Sequence, residues 1–568
     1  MSKRESVNNS AKFLMDGEEF FATFVKCLDE VKRSVTDGAD VLSKPEDTSN
    51  VPEAVPANTY VRLAYWAMEL GVPLRKDKPS QTLEVELKAL ADLGVHVEII
   101  LWDPDVVSGN YTGEGNFAAK VAHGNQLVAK VLHGYKDKIL VYLESHPARL
   151  KGVGLGLHQK MSLFSVRGRL KAMVGGFNME AEYWDTPFHT GKHPITPSDK
   201  VHTLHDTALL VKGPVTLDVE AEWLRRWDRQ VSSDSFMIWN GPPRYKVRGA
   251  IKGLLKDQPQ TGDLAISVLT TGVSAFSTEH SIRDEIKALL KGATSYVYAE
   301  NYQFFEPEIV SEICRKLKTQ KQFHVCVVIP DQACDPAQAN TQLSRIAYTR
   351  MLVASFKDKQ GTKGKLDDAL RGLRINDVLE PVNHENGVYY KVLGAKTPKS
   401  WMEGAKLQKR PAPVEGQKTA SKPLEVALEL IEGVDLVDGE TPRVQFYCPV
   451  RFPADSDQYG DSIKIYVHSK LMLIDSRHVI VGSANFGHRS MEYDGEMSLH
   501  VQSDAFAIEV KRKLFPHYNV HSQKEVPAAL RDDAHGQYNQ VRLIPRSPGD
   551  LKVDKEKLPP YPLDYSWF

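Results

Sequence analysis

The feature that most constrains this chain is an order of elements that occurs twice. "TYVRLAYWAMEL" (59–70) reads as a strand, "SQTLEVELKALADLG" (80–94) as a helix and "VHVEIILWDPD" (95–105) as a buried strand ending in a turn. The helix has a Ser/Thr start, apolar residues at helical spacing and Gly94 as its stop. The order returns as "TSYVYAENYQFF" (294–305), "EPEIVSEICRKLKTQ" (306–320) with Pro307 near its start, and "FHVCVVIPD" (323–331). Each set is followed by a strand carrying His-x-Lys: "GLHQKMSLFSVRGRLKAMVGGFN" (156–178) and "YVHSKLMLIDSRHVIVGSAN" (466–485). Alternating strands and helices, met twice in 568 residues, predict a duplicated α/β fold with a mixed sheet in each half.

Residues i and i+2 share a face of a strand, so His158 points with Lys160, and His468 with Lys470. An ammonium beside an imidazole disfavours its protonated form, which suits a nucleophile or base near neutral pH. A lysine is also a point-charge partner for a phosphate oxygen. One His-x-Lys says little in a chain with 19 histidines. Two copies, each followed by a Gly-Gly or Gly-Ser turn and an asparagine, say much more.

"HSKLMLID" with "GSAN", and "HQKMSLFS" with "GGFN", resemble the paired HxKxxxxD signatures of the phospholipase D superfamily. The resemblance runs in outline from about residue 58 to 515. It includes "HDTALLVKGPVTLDVEAEWLRRWD" (205–228), "AENYQFF" (299–305) and "NFGHRSMEYDGEMSLHV" (485–501). It implies two half-sites facing each other across a pseudo-twofold axis. One histidine forms a phosphohistidine, and the other protonates the leaving alcohol and then activates water or a second alcohol. Lys160, Lys470, Asn178 and Asn485 then hold the non-bridging oxygens, with Gly176 and Ser483 at matching positions before the asparagines. Sequence symmetry leaves the order of the histidines open; the resemblance implies His158 as nucleophile and His468 as general acid/base. Each histidine also needs a carboxylate for its far nitrogen. Glu496, with Asp494 as its rival, is expected after the second motif. Asp185, in "EYWDT", resembles the YxDT of secreted bacterial members and is expected after the first, with each acid serving the other half's histidine. The resemblance implies no cofactor and no metal.

The first motif departs from the pattern at Ser165, where the second has Asp475. Asp475 lies seven residues after His468, an odd offset, so in a regular strand it faces away from His468 and Lys470. It is expected to support the strand from behind, and a serine can make one such hydrogen bond without the charge. Ten positions separate Ser165 from Gly175, against seven from Asp475 to Gly482, so the first hairpin has a rebuilt turn. Both half-sites are expected to work.

The division expected is an N-terminal extension and linker (1–57), a first half (58–260), a second half (261–520) and a C-terminal tail (521–568). The second half carries about 80 extra residues before its His-x-Lys strand, including a Lys-rich insertion at about 355–425. Lys+Arg and Asp+Glu nearly cancel, 72 against 73, which gives no support to a nucleic-acid partner. Five scattered cysteines, without CxxC or zinc-ligand spacing, fit a reducing compartment. His189, His193, His202 and His205 read as polar loop residues, and Trp184, Trp223 and Trp227 as core. With no apolar run of signal-peptide or membrane-span type, a chain made as a soluble cytoplasmic protein is expected, exported if at all by a signal-independent route. The expected function is a phospholipase D acting peripherally on phospholipid membranes, with transphosphatidylation onto small alcohols. A bacterial lipase effector with secretion or immunity partners is one form of it. The alternatives are a nuclease or cardiolipin synthase-like relative, or a non-catalytic phosphate- or lipid-binding one.

Overall fold

The computed structural model describes residues 4–40, 58–103, 117–144, 156–196, 200–233, 249–273 apart from 251, 252 and 254, and 278–334 apart from 332. It also describes a few positions between 344 and 355, three short strands at 378–379, 389–393 and 406–410, then 443–519 and 541–546. The first half runs β1 (Arg4–Met15), α1 (Asp16–Asp40), β2 (Tyr60–Tyr65), α2 (Leu83–Asp92), β3 (His96–Trp102), α3 (Phe117–Leu132), β4 (Ile139–Glu144), β5 (Met161–Val166), β6 (Arg169–Gly175), β7 (Thr207–Lys212) and α4 (Val215–Ser233). The second runs β8 (Leu264–Val273), β9 (Thr278–His280), α5 (Ser281–Gly292), β10 (Tyr296–Glu300), α6 (Pro307–Thr319), β11 (His324–Val328), the small sheet β12 (Val378–Leu379), β13 (Tyr389–Leu393) and β14 (Lys406–Arg410), and then β15 (Val444–Arg451). It closes with β16 (Ile463–Lys464), β17 (Leu471–Ile474), β18 (His478–Gly482), α7 (His488–Glu492), β19 (Glu496–Gln502), α8 (Asp504–His517) and β20 (Val541–Arg546).

The duplication is explicit in the pairing. The first half orders its strands β4–β3–β2–β5–β6–β7, the first three parallel and the rest antiparallel. The second repeats this as β15–β11–β10–β17–β18–β19. β1 pairs with both β7 and β8, and β8 pairs with both β1 and β19, which joins the halves through one continuous ladder. A buried apolar cluster with Val174, Leu209, Trp223, Val481 and Leu499 lies between the halves, and each half has a second cluster under its outer helices. Strands buried on both faces read as near-continuous apolar runs, as "HVEIILW" and "ILVYLE" do.

Two sequence boundaries change. Residues 1–57 are not a bare extension, because β1 lies in the sheet and α1 buries Phe20, Phe21, Phe24 and Leu28 beneath it. The segment 521–568 is not wholly a tail, because β20 pairs with β15. Apart from β12–β14, the Lys-rich insertion lies outside the described residues.

One buried charge sits inside the first half. Arg62 on β2 donates from Nε to Glu98 (2.9 Å) and from Nη1 to Glu220 (2.6 Å), and all three side chains are essentially inaccessible. Removing the guanidinium strands two buried carboxylates, a loss of about 3–5 kcal/mol. Arg62→Ala is therefore expected to lower Tm by several degrees in a circular-dichroism melt; an unchanged Tm would contradict this account.

Candidate active site

The two His-x-Lys segments are built alike, and each is held by the opposite half. Before the first, Gly495 N–H donates to Gly156 O (2.8 Å) and His158 N–H to Gly495 O (2.9 Å). Before the second, His205 N–H donates to Tyr466 O (2.9 Å) and His468 N–H to His205 O (2.8 Å). The residue after each bracing residue is, or leads to, an acid. His158 Nδ1 meets Glu496 Oε1 at 2.8 Å, and His468 Nδ1 meets Asp206 Oδ2 at 2.7 Å. Glu496 also accepts from Ser483 Oγ (2.6 Å), which ties it to the second motif. Both acids are fully buried, whereas the imidazoles keep 17 % and 13 % of their side-chain surface and so line the opening.

Each lysine lies buried beside its histidine. Lys160 Nζ donates to His158 O (2.8 Å), and Lys470 Nζ donates to His468 O. Asn178 is fixed through Ala67 N–H (3.3 Å) and the Tyr183 hydroxyl (2.9 Å), while Asn485 Oδ1 is buried with no hydrogen-bond partner among the described residues. Gly176 N–H and Ser483 N–H bond matching positions, Thr207 O (3.0 Å) and Met497 O (2.9 Å). A side chain at Gly176 would collide with the Asp206 carboxylate, since an added Cβ falls 2.1 Å from Oδ1.

Burial dominates the electrostatics. It pushes the Lys160 ammonium down to about 7 and Lys470 to about 8, with Glu496 and Asp206 opposing. It pushes His158 below its ordinary value against the pull of Glu496, and His468 further, aided by Lys470 and Lys160. It raises Asp206 to about 7 against Lys470. Burial also raises Glu496, but His158 and Lys160 outweigh it and hold this carboxyl below the usual range. Both imidazoles are thus neutral near pH 7, and an Nδ1–H given to the acid leaves each Nε2 with a lone pair.

Asp185 does not support His468. It bonds His189 Nδ1 (2.7 Å) and the N–H groups of Thr186 and Leu204, out of the site. Asp206 takes that position because it directly precedes β7, as Glu496 opens β19. Aligning "DTALLV" with "EMSLHV" would have found it. Asp494, the rival of Glu496, pairs instead with Arg489 and accepts from Gly156 N–H (3.3 Å). Also missed were Tyr183, whose hydroxyl is 3.4 Å from His468 Nε2, and Trp66, whose ring meets His158 edge-on at 5.9 Å. His189 and His205 are fully buried, not loop surface, and Trp184, Trp223 and Trp227 are core.

Ser165 and Asp475 both lie behind their strands. Asp475 accepts from the N–H groups of Thr294, Ser295 (2.8 Å) and Tyr296 (2.9 Å) and from Thr294 Oγ1 (3.0 Å), which fastens the entry to β10. Ser165 Oγ donates once, to Asn58 O at the entry to β2. A tight turn with Arg167 and Gly168 at positive φ (52° and 85°) closes the first hairpin.

Two histidines, two lysines and two acids are thus shared crosswise between the duplicated halves in one paired site. Residues 445–516 match the family profile described as "Cardiolipin synthase, PLD-like domain". The chain is 21% identical to phospholipase D alpha 2 of Arabidopsis thaliana over 57% of its length and 41% of the relative's. It is 22% identical to phospholipase D alpha 1 of Nicotiana tabacum over 86% of its length and 61% of the relative's. The chain thus spans between two-fifths and about three-fifths of these relatives' length. Among solved structures, a phosphatidylserine synthase of Haemophilus influenzae Rd KW20 covers 98% of this chain and 91% of its own at 10% identity, with a TM-score of 0.43. These similarities support the phospholipase D superfamily as the one this chain resembles.

Asp206→Asn is expected to lower kcat on a chromogenic phosphodiester by on the order of 10²- to 10⁴-fold, by loss of the tautomer-fixing carboxylate. Asp185→Asn is expected to lower Tm more than kcat; the reverse ranking would return Asp185 to the site. Behind the strands, Asp475→Ala removes the acceptor of several hydrogen bonds and is expected to cost about 2–3 kcal/mol. Ser165→Asp sets a carboxylate against the Asn58 carbonyl, so Tm is expected to fall by a few degrees while kcat changes little.

Proposed function

We propose that this protein is a phospholipase D that cleaves the distal phosphodiester bond of glycerophospholipids, releasing phosphatidic acid and the free headgroup alcohol. The observation that carries this reading is the crossed pair of dyads, His158–Glu496 and His468–Asp206, each with a buried lysine beside it. His158 Nε2 attacks phosphorus, and the bond to the headgroup oxygen breaks as that oxygen takes a proton from His468 Nε2. Water then gives its proton to His468 and attacks the phosphohistidine, breaking the P–N bond and restoring His158. An alcohol in place of water gives transphosphatidylation. Lys160, Lys470 and the two asparagines balance the charge on the non-bridging oxygens.

The assignment of His158 as nucleophile is supported by Tyr183, whose hydroxyl already stands at His468 Nε2. The two lysines that depress His468 are neutralised when the anionic phosphodiester binds, so this histidine then takes up the proton its acid step needs. No described helix is long and apolar enough to cross a membrane.

The test incubates the protein with mixed phospholipid vesicles and ethanol, with plasmid DNA in parallel. Phosphatidylethanol formation that is lost in both His158→Ala and His468→Ala is expected; full activity without His158 overturns the reading, and DNA cleavage without lipid turnover replaces it with a nuclease. In the pH profile, kcat/KM reports the free enzyme. Lys160 and Lys470 lose their charge as pH rises through about 7 and about 8, so the alkaline fall is expected there and to appear in KM. The acid limb is expected below the ordinary histidine value of about 6.5, because burial depresses the His158 imidazole that must attack unprotonated.

A further inference from the structure

Behind the His468 dyad lies a second polar cluster that this chemistry does not use. Asp16, His189, His205 and His517 are all fully buried, and one donor atom from each lies within 4.8 Å of the others. They come from three distant segments: the corner between β1 and α1, the connection before β7, and the last turn of α8. No local spacing announces them, which is why the sequence shows no metal signature.

The donor geometry converges. His189 Nε2 and His517 Nε2 face each other at 3.2 Å, and Asp16 Oδ2 lies 3.8 Å from His189 Nε2. Two imidazole nitrogens on a tetrahedral zinc, each about 2.0–2.1 Å from the metal, are about 3.3 Å apart. The far nitrogen of His189 is on Asp185 Oδ2 at 2.7 Å, so with Nδ1–H given to that carboxylate its Nε2 presents a lone pair. That carboxylate–histidine arrangement is the usual way a protein orients an imidazole toward a metal. Asp16 Oδ1 is likewise fixed by His205 Nδ1 (2.8 Å), whose Nε2 is taken by Glu300 (3.0 Å). Asp16 Oδ2 is buried and has no hydrogen-bond partner among the described residues. An orphaned carboxylate oxygen in a fully buried pocket is costly unless a cation meets it.

The backbone is built to hold Asp16 there. Its φ is +61°, a left-handed conformation that Asp tolerates better than most residues. Gly17 packs so closely that a Cβ would fall 2.0 Å from Tyr183 O. Asp16 N–H donates to Asp206 O (2.9 Å), which connects the cluster directly to the acid of the second dyad.

We propose that Asp16, His189 and His517 bind a first-row divalent cation, zinc fitting the donor set, which fastens the β1–α1 corner and the end of α8 to the segment carrying Asp206. His205 orients Asp16, and water completes the four-coordinate shell. The cation is structural and takes no part in the phosphoryl transfer.

The test uses the full chain, zinc-loaded and desalted, with metal content read by mass spectrometry, Tm read with and without a strong chelator, and visible absorption read after Co²⁺ exchange. The expected result is about one retained equivalent, a Tm lowered by chelation and a tetrahedral Co²⁺ band. Asp16→Asn keeps the shape and tolerates the positive φ; it and His517→Gln are expected to lose the metal and the chelator response. His488→Ala removes a separate cluster of Glu306, His488 and Glu492 and is expected to keep both. Retention below about a tenth of an equivalent, with a Tm indifferent to chelator, overturns the proposal and leaves His189 and His517 sharing a proton. Full metal retention by folded Asp16→Asn and His517→Gln overturns it as well. None of these readouts is activity, so they stand or fall apart from the phospholipase D reading.

Discussion

Everything at the centre of this protein depends on the crossed brace. The backbone just ahead of each motif histidine is hydrogen-bonded to the opposite half, and the acid that fixes each imidazole arrives on that same bracing segment. Position and tautomer are therefore set by one contact. The requirement propagates outward: the acids must begin β7 and β19, those strands must flank the interface, and β1 and β8 must close the ladder between them.

The brace also explains the unusual charge density. Two lysines and two carboxylates share one buried interface, where separated charges would be ruinous. Burial pulls the lysines and histidines down and lifts Asp206, so the empty site relaxes toward neutrality. An arriving phosphodiester supplies the anion the lysines lack. In the proposed reaction that binding energy would be held in reserve for the charge that develops on phosphorus.

Part of this was legible in the motifs themselves, read through strand parity. Asp475 acts on the side that parity predicts, since it grips the entry to β10, but strand regularity is not the cause: His158–Lys160 and His468–Lys470 lie just before β5 and β17, and Asp475 sits in the turn after β17 with φ +53°. Ser165 in the other half makes one bond from the same side. Parity speaks within a strand and is silent between segments. Asp185 and Asp206 are both acids after the first motif, and only the pairing of β7 tells which reaches His468. β1 and α1 escaped because a strand whose partners lie some 200 residues away carries no local sign of them. The buried histidines around Asp16 escaped for the same reason: tertiary convergence, not spacing, brings them together.

The strand order of the two halves has a consequence for how such a protein can arise. Neither half owns a complete dyad, since each supplies a histidine to one and an acid to the other. A single half would carry no complete dyad, whereas two copies in this arrangement would carry two, with β1 of one laid against β1 of the next where β1 now meets β8. Joining two copies in one chain releases each from the obligation to be identical. One half could then carry Ser165 in place of an aspartate on a longer hairpin, while the other accepted a long insertion between β11 and β15. The covalent link is what allowed a symmetric machine to become two different halves.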